Sequence, residues 1–392
     1  MFKDSGSATD YVTLPMENDS IADQCNGLGA CARECAFLSK YGTPDKIAAL
    51  YKKDPEACFE MAFECSLCGL CTAVCPQGLD PSAMFLKFRQ EAVKQKKKQL
   101  DSYKKILDYE KKGFSKRFSF YSLPHNCDTI FFPGCTLPGT RPGNTLKAFE
   151  YLKTRIDNIG IVLDCCTKPS HDLGRQDFFE AMFSEMETFL LDNGIRTIVT
   201  ACPNCHKTFT TYGKKFTIIT LYEIMAKEDL PRKASLPRKA SLPEGITIHD
   251  PCPTRFESQI HIAVRSLAKT QGLDIEDTHH SREKTFCCGE GGTVGCVNPD
   301  LAKNWSRKRN KESQGKKVLT YCTGCVNYLS RDCDTFHVLD LMFGPEKTLK
   351  GKARVSKAPF TYLNRLILKK KLSRIPAGIV RERTYRYEDR TP

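Results

Sequence analysis

After residue 126 the chain is punctuated by short apolar runs that stop at cysteines. TIFF (129–132) leads into Pro133-Gly134-Cys135, GIVLD (160–164) into Cys165-Cys166, and TIVTA (197–201) into Cys202. ITIHD (246–250) precedes Pro251-Cys252, and VLTY (318–321) precedes Cys322. Runs of this length, rich in β-branched and aromatic residues, predict buried strands. Helical spacing separates them. In 176–192, Phe179, Met182, Phe183, Met186 and Phe189 share one face until Asn193-Gly194 stops the helix. Strands alternating with helices predict a mainly parallel, doubly wound sheet. Such sheets take ligands just past the carboxyl ends of their strands, at or near where these cysteines fall.

Before residue 126 the pattern is helical. Thr43-Pro44, Asp54-Pro55 and Asp80-Pro81 each set a capping residue before a first-turn proline. The helix opening at Asp80 carries Met84, Phe85, Phe88 and Val93, then continues as a charged connector to about Gly113. The two α/β halves repeat: Cys202, Cys205, Phe216 and Leu221 recur as Cys322, Cys325, Phe336 and Leu341, 120 residues later. These shifts divide the chain into a polar, mobile lead-in (1–20), a helical domain (21–95) and a basic helical linker (96–125). A first α/β domain (126–229), a linker (230–243), a second α/β domain (244–345) and a basic tail (346–392) follow. The tandem hexapeptide in LPRKASLPRKASLP (230–243) reads as a slipped duplication in an exposed linker; regulation through Ser235 or Ser241 is the lesser reading.

A hydrophobic content of 40% with 10% aromatics is that of a globular chain. MFKDSGSATDYVTLPMENDS has no apolar signal core, and no run approaches the length of a membrane span, so the expected setting is the cytoplasm. Cysteine is the outlier: 21 in 392 residues, an odd count in a long chain, predict reduced, metal-binding thiols rather than a disulfide framework. The net charge of +14 concentrates in 94–117 and in 351–392, where twelve Lys/Arg face three Asp/Glu. That charge lies away from the cysteines and predicts no nucleic-acid partner. A solvated face is the plain reading, and an acidic partner or anionic headgroups the next.

CSLCGLCTAVCP (65–76) is C-x2-C-x2-C-x3-C-P, the ligand run of a bacterial-type [4Fe-4S] ferredoxin, whose fourth cysteine serves a neighbouring cluster. CNGLGACAREC (25–35) supplies the partner motif: Cys25, Cys31 and Cys35 stand 40 residues before Cys65, Cys71 and Cys75. Leu28 occupies the position matching Cys68, and Ala36 replaces the usual proline. The spacing assigns Cys35, Cys65, Cys68 and Cys71 to one [4Fe-4S] cubane, and Cys25, Cys31 and Cys75 to a second cluster. Three thiolates suit a [3Fe-4S] cluster, or a [4Fe-4S] cluster with a non-standard fourth ligand. Cys58 is the nearest spare thiol, although a buried, inert cysteine is its plainer reading. Downstream stand two ordered pentads: Cys135, Cys165, Cys166, Cys202 and Cys205, then Cys252, Cys287, Cys288, Cys322 and Cys325. Five thiolates exceed what one tetrahedral zinc needs. Gly134, Gly289, Gly291, Gly292 and Gly324 flank them and let the backbone approach a bulky cluster.

The pentads, in PGC…CC…CPNC and DPC…CCG…CTGC, resemble the cysteine-rich CCG domains of heterodisulfide reductases. A two-cluster ferredoxin domain ahead of two such modules resembles the catalytic subunit of the membrane-linked enzyme of that family. It is similar, too, to a fusion of the separate ferredoxin-type and CCG-domain subunits of the soluble enzyme. The likeness covers about residues 21–345 and departs at Leu28 and at Thr167, which follows Cys165-Cys166 where the motif has glycine. It implies an α+β multidomain fold: a small, mainly helical two-cluster ferredoxin domain followed by duplicated α/β CCG domains with parallel-sheet halves. It also implies that each complete pentad binds a noncubane [4Fe-4S] cluster, with a disulfide cleaved between the two.

The implied activity is that of an iron–sulfur oxidoreductase subunit acting on sulfur groups, passing electrons from ferredoxin-type clusters to the pentads to reduce, or form, a disulfide. The implied partners are a flavoprotein or cytochrome b-type electron-transfer subunit and a thiol or disulfide substrate. A second reading makes the chain an electron-transfer subunit between a flavin dehydrogenase (glycerol 3-phosphate, lactate or glycolate type) and membrane quinone. A third makes it a zinc-stabilised binding module. Lys168 and His206, close to pentad thiols in sequence, receive no role. FTYLNRLILKKKLSRI (360–375) mixes apolar and basic residues. It is expected either to pack on the core or to lie on a membrane's inner face or a cytochrome subunit, the latter making association peripheral.

Overall fold

The protein is described by a computed structural model over residues 18–227 and 245–387. Residues 1–17, 228–244 and 388–392 lie outside the described residues, and with them Ser235, Ser241 and most of the lead-in.

The prolines open helices where the sequence predicts: Pro44–Lys53, Pro55–Ala62 and Pro81–Lys94 (α1). Asp80 caps α1 by accepting from the backbone N–H of Ser82 at 3.0 Å and of Ala83 at 3.2 Å. This helix buries Met84, Phe85, Phe88 and Arg89, then stops at Lys94 instead of running on to Gly113. The stretch KQKKKQ that follows offers like charges one turn apart and no apolar face, so a fresh helix, Lys104–Gly113 (α2), starts after a turn.

Nine strands form two sheets among the described residues. Strands β1 (Phe120–Leu123), β2 (Thr129–Phe132), β3 (Gly160–Leu163), β4 (Thr197–Thr200) and β5 (Thr217–Thr220) belong to the first half. Strands β6 (Ile246–His249), β7 (Lys317–Thr320) and β8 (Thr335–His337) form the second, and β9 (Ile379–Arg381) comes from the tail. The first sheet has the order β5-β4-β2-β3-β1-β9 and the second β6-β7-β8. Strands β5, β4, β2 and β3 are mutually parallel, as are all three of the second sheet. The first sheet is nevertheless mixed, because β1 runs antiparallel to β3 and β9 antiparallel to β1. Both lie in stretches read from sequence as linker and tail. SFYSL ends at no cysteine, and an edge strand recruited from more than 250 positions away leaves no local signature.

Strand β2 is buried along its whole length, with Ile130, Phe131 and Phe132 inaccessible to solvent. Full burial of such a side chain stabilises the fold by roughly 1.5–3 kcal/mol. One face of the sheet is covered by helix Gln176–Asp192 (α3) through Phe179, Phe183, Met186 and Leu190. The opposite core continues from Phe131 and Phe149 into the second half through Ile248, Val264, Leu267, Leu319 and Leu339. The two halves therefore share one core. A buried ion pair ties them together: the Arg141 guanidinium lies 2.8 Å from Asp340, whose carboxylate also accepts from Asn144 at 2.7 Å.

Candidate functional site

The N-terminal thiols separate into the two groups that the spacing predicts. The Cys31 thiol is pushed up by burial and then by the charges of Cys25 and Cys75, so these three are neighbours. Burial pushes Cys35 up to about 11, with the charge of Cys68 adding to it. Cys71 is raised by burial and then by Cys65, Cys68, Asp80 and Cys35. The two loops repeat in conformation as well as in sequence. Gly27 and Gly29 have φ of 69° and 71°, and Leu67 and Gly69, 40 residues on, have 48° and 69°. Leu28 thus sits in a ligand loop without being a ligand, and is 62% exposed. Cys58 is buried elsewhere and donates to the Ile47 carbonyl at 3.8 Å; the Cys25 thiol instead donates to Asp45 Oδ1 at 3.8 Å.

In the first half, Cys135, Cys165 and Cys202 follow the carboxyl ends of β2, β3 and β4, which are side by side in the sheet. Cys202 is the N-cap of helix Pro203–Tyr212 (α4), with Cys205 in its first turn. A helix N-terminus favours the thiolate over the thiol. Cys135 is pushed down to about 6, first by a hydrogen bond with Cys165, which is itself pushed up. Cys166 and Cys205 have their sulfurs 3.5 Å apart, and Cys205 also bonds Cys202. The five thiols form one continuous group.

The second half repeats this with a shorter sheet. Cys252 and Cys322 follow β6 and β7, whereas Cys287-Cys288 follows no strand, its counterpart reduced to a bridge between Ile246 and Ile275. Helix Pro299–Ser313 (α5) packs beside this pentad, and Cys322 is the N-cap of helix Thr323–Leu329 (α6). The free thiols of Cys252 and Cys287, Cys287 and Cys288, Cys288 and Cys325, and Cys325 and Cys322 are close enough to shift one another's ionisation.

Three contacts that sequence reasoning missed set the order of these groups. Arg89, fully buried on α1, donates to the carbonyls of Ala62 (2.9 Å), Cys65 (2.6 Å), Asp172 (2.6 Å) and Gly292 (2.9 Å), pinning all three modules. Arg255 reaches from the second half to the Cys68 carbonyl at 3.0 Å, and Trp305 of α5 donates to Ser66 Oγ at 3.1 Å. A side chain on Gly291 would meet the Ser66 carbonyl at 2.5 Å and Cys287 Sγ at 3.0 Å. The Cys65–Cys68 loop therefore rests directly on the second pentad, and Cys68 and Cys287 feel each other's charge.

The pentads face one another. Tyr222 Oη lies 2.6 Å from the carbonyl of Ala201 and 3.1 Å from that of Tyr321, the residues just before Cys202 and Cys322. Glu290, two residues past Cys288, leans over Gly324, where any side chain would overlap its carboxylate. Burial pushes Glu290 up to about 7, and the charges of Cys202 and Cys135 add to the shift, so this carboxyl of the second half reaches the first pentad. A crevice of about 160 Å3 opens between the modules, lined by Leu67, Asp80, Lys168, Asp172 and Lys207 among others. Lys168 pairs with Asp172 at 2.6 Å, while Lys207 has no ion-pair partner among the described residues. His206 is buried within 3.9 Å of Glu257.

The donor set fits iron–sulfur clusters. All 21 cysteines are free thiols. Each pentad gathers five thiols, more than a tetrahedral zinc takes and in the manner a multi-iron cluster requires. Glycine keeps the neighbouring space clear: a side chain on Gly134 would lie 2.9 Å from Cys202 Cβ and 3.3 Å from Cys205 Sγ, and one on Gly113 2.9 Å from Cys165 Cβ. Cys127 and Cys333 are buried against the carbonyls of Thr129 and Ser306, and Cys296 is exposed; none joins a group.

Comparison with known proteins agrees with this geometry. Residues 24–80 match the 4Fe-4S dicluster domain, and residues 129–210 and 246–330 each match the cysteine-rich CCG domain. The chain is 25% identical over 290 residues to a fumarate reductase (CoM/CoB) subunit of Methanothermobacter marburgensis, covering 67% of this chain and 55% of that protein. It is 24% identical over 308 residues to a dihydromethanophenazine:CoB–CoM heterodisulfide reductase subunit of Methanosarcina barkeri (68% and 71%). The same subunit from Methanosarcina mazei is 23% identical over 283 residues (64% and 66%). The chain thus spans little more than half the length of the first of these relatives. It is an iron–sulfur protein with one 4Fe-4S dicluster domain and two cysteine-rich CCG domains, an architecture that places it with these heterodisulfide reductase subunits and related iron–sulfur proteins.

Proposed function

We propose that this chain is the iron–sulfur subunit of a heterodisulfide-reductase-like complex, in which electrons enter at the N-terminal thiol groups and a disulfide is reduced, or formed, between the two pentads. The observation that carries the reading is the ladder of contacts: Cys25/Cys31/Cys75, then Cys35/Cys65/Cys68/Cys71, then the second pentad through Gly291 and Arg255, then the first pentad across Tyr222 and Glu290. The seven upstream cysteines would hold one [4Fe-4S] cubane and one [3Fe-4S] cluster, and the ten pentad cysteines two noncubane [4Fe-4S] clusters. Bound clusters supply one-electron steps, so that two electrons and two protons convert one disulfide into two thiols.

The chain's own residues do the rest. The thiolates and the glycines beside them fix where the redox groups sit and keep side chains out of the space between. Seven of the ten pentad cysteines are buried, which limits water around them, and Arg89 and Arg255 fix the distance between the dicluster domain and the second pentad. The crevice between the modules would offer the cation of Lys207 to an acidic thiol substrate. A flavoprotein or cytochrome b-type subunit is the expected electron donor. The relative named as a fumarate reductase (CoM/CoB) subunit supports a second reading, in which the chain passes electrons on to a separate oxidoreductase subunit. Turnover separates them: oxygen-free protein that reduces a thiol–disulfide substrate with an artificial donor supports the first, and reduction of its chromophore with no disulfide turnover supports the second.

A further inference from the structure

Helix Phe360–Leu372 (α7) is two-sided in an unusual way. One side buries Arg365, Leu368 and Leu372 and holds the segment that follows Cys135 and the end of α2: Asn364 donates to the Gly139 carbonyl at 2.8 Å, and Arg365 to the Gly113 carbonyl at 3.3 Å. The other side presents large apolar side chains to water. Phe360 is 63% exposed, Leu363 53% and Ile367 45%. Helical spacing carries the same face on to Lys370 and Lys371, with Arg374 just past the helix end, all exposed. The apolar stripe thus runs into a cationic end. Beside it a groove of about 290 Å3 is lined by Phe118, Tyr362, Leu363 and Leu366, with Lys112 and Arg117 at its edge. The Lys112 ammonium lies 4.8 Å from the centre of the Tyr362 ring.

Exposing three large apolar side chains on one face costs free energy unless something covers them. The surrounding charge selects the cover. A second copy would set the Lys370, Lys371 and Arg374 cluster close to its own kind. Aliphatic and aromatic tips with a rim of lysine and arginine suit acyl chains beneath negatively charged headgroups. No helix among the described residues is long and apolar enough to cross a membrane, so such contact would be made from one side.

We propose that the exposed face of α7 docks this protein onto an anionic lipid surface. Phe360, Leu363 and Ile367 enter the boundary between headgroups and acyl chains, and Lys112, Arg117, Lys370 and Lys371 meet the headgroups. Because α7 braces the loop after Cys135, docking sets the first-pentad side of the molecule against the membrane. The proposal does not depend on which substrate the pentads serve.

The test is sedimentation of the full-length, oxygen-free protein with vesicles of phosphatidylcholine alone or mixed with phosphatidylglycerol. The expected result is binding to the mixed vesicles, with binding to the neutral ones weaker by about tenfold and binding to both reduced by raised salt. Phe360→Ser/Leu363→Ser/Ile367→Ser should lower binding by about tenfold or more, and Lys370→Glu/Lys371→Glu should erase the preference for phosphatidylglycerol. All five positions are exposed and none is a cysteine, so the visible absorption of each variant should equal that of the parent. Equal binding by parent and triple variant would overturn the proposal. Binding to native membranes but to neither kind of vesicle would also overturn it, in favour of a membrane protein as the partner.

Discussion

The guanidinium of Arg89 donates to the carbonyl of Gly292 at 2.9 Å, joining residues 203 positions apart. Gly292 has a φ of 58°, and a side chain there would run into the Cys65 carbonyl and come within 3.0 Å of Arg89 itself. The contact therefore depends on a glycine and fixes how the dicluster domain sits on the second pentad. Gly292→Ala is expected to leave iron content unchanged while slowing electron passage from the N-terminal groups to the pentads by roughly tenfold or more, since small displacements at reacting groups are costly. Stopped-flow reduction followed by visible absorption reads this directly; an unchanged rate would separate the contact from electron transfer.

Arg141 and Asp340 test how the halves are held together. Both are almost fully buried, and burial alone pushes the Asp340 carboxyl up, with the Arg141 charge opposing it. Arg141→Ala leaves that carboxylate without its partner and is expected to cost about 3–5 kcal/mol. The double replacement Arg141→Met/Asp340→Leu should be far milder. Chemical denaturation of the parent and the two variants measures both, and equal losses in single and double variants would show that packing rather than charge dominates.

Glu110 on α2 gives stability an uncommon pH dependence. It is buried, and it accepts from the Ser170 N–H at 2.9 Å and from the Ser170 hydroxyl. Burial pushes its carboxyl up to about 7, outweighing the hydrogen bonds. A carboxyl raised in the folded state binds a proton there that the unfolded chain has already released. Its contribution is therefore fully present below the ordinary glutamate range, declines as pH rises towards 7, and is lost above. Thermal midpoints measured from pH 5 to pH 8 should fall with pH in the parent and stay flatter in Glu110→Gln. Coincident curves would contradict the assignment.

Lys207 offers a kinetic test of the crevice. The residue is exposed, yet the surrounding protein and Lys168 push its ammonium below the ordinary lysine range. Lys207→Ala should raise KM for an acidic disulfide by about tenfold. A neutral disulfide of similar size should be affected far less. Equal losses for both would remove substrate charge from its role.

The grouping of the thiols was legible because cysteine spacing is a local property. The 40-residue echo of Cys25, Cys31 and Cys35 and the repeated pentads predict groupings that the fold brings together. The apolar runs ending at cysteines likewise became β2, β3, β4, β6 and β7. What stayed hidden depends on distant partners. Nothing in FLKFRQE marks Arg89 as a buried clamp, because its four acceptors are backbone carbonyls contributed by residues 62, 65, 172 and 292. Tyr222 and Glu290 acquire meaning only when the halves meet. The strand in the tail stayed hidden because the pairing of β9 with β1 is a backbone interaction that side-chain pattern does not encode.

Iron and acid-labile sulfide counted on oxygen-free protein, together with electron paramagnetic resonance of the oxidised form, bear on all of this most directly. Four occupied thiol groups require about 15 irons per chain when the Cys25/Cys31/Cys75 group holds three, with a three-iron signal in the oxidised state. About seven irons, or abundant zinc with no brown colour, would mean that the pentads hold no iron–sulfur clusters and would contradict the account.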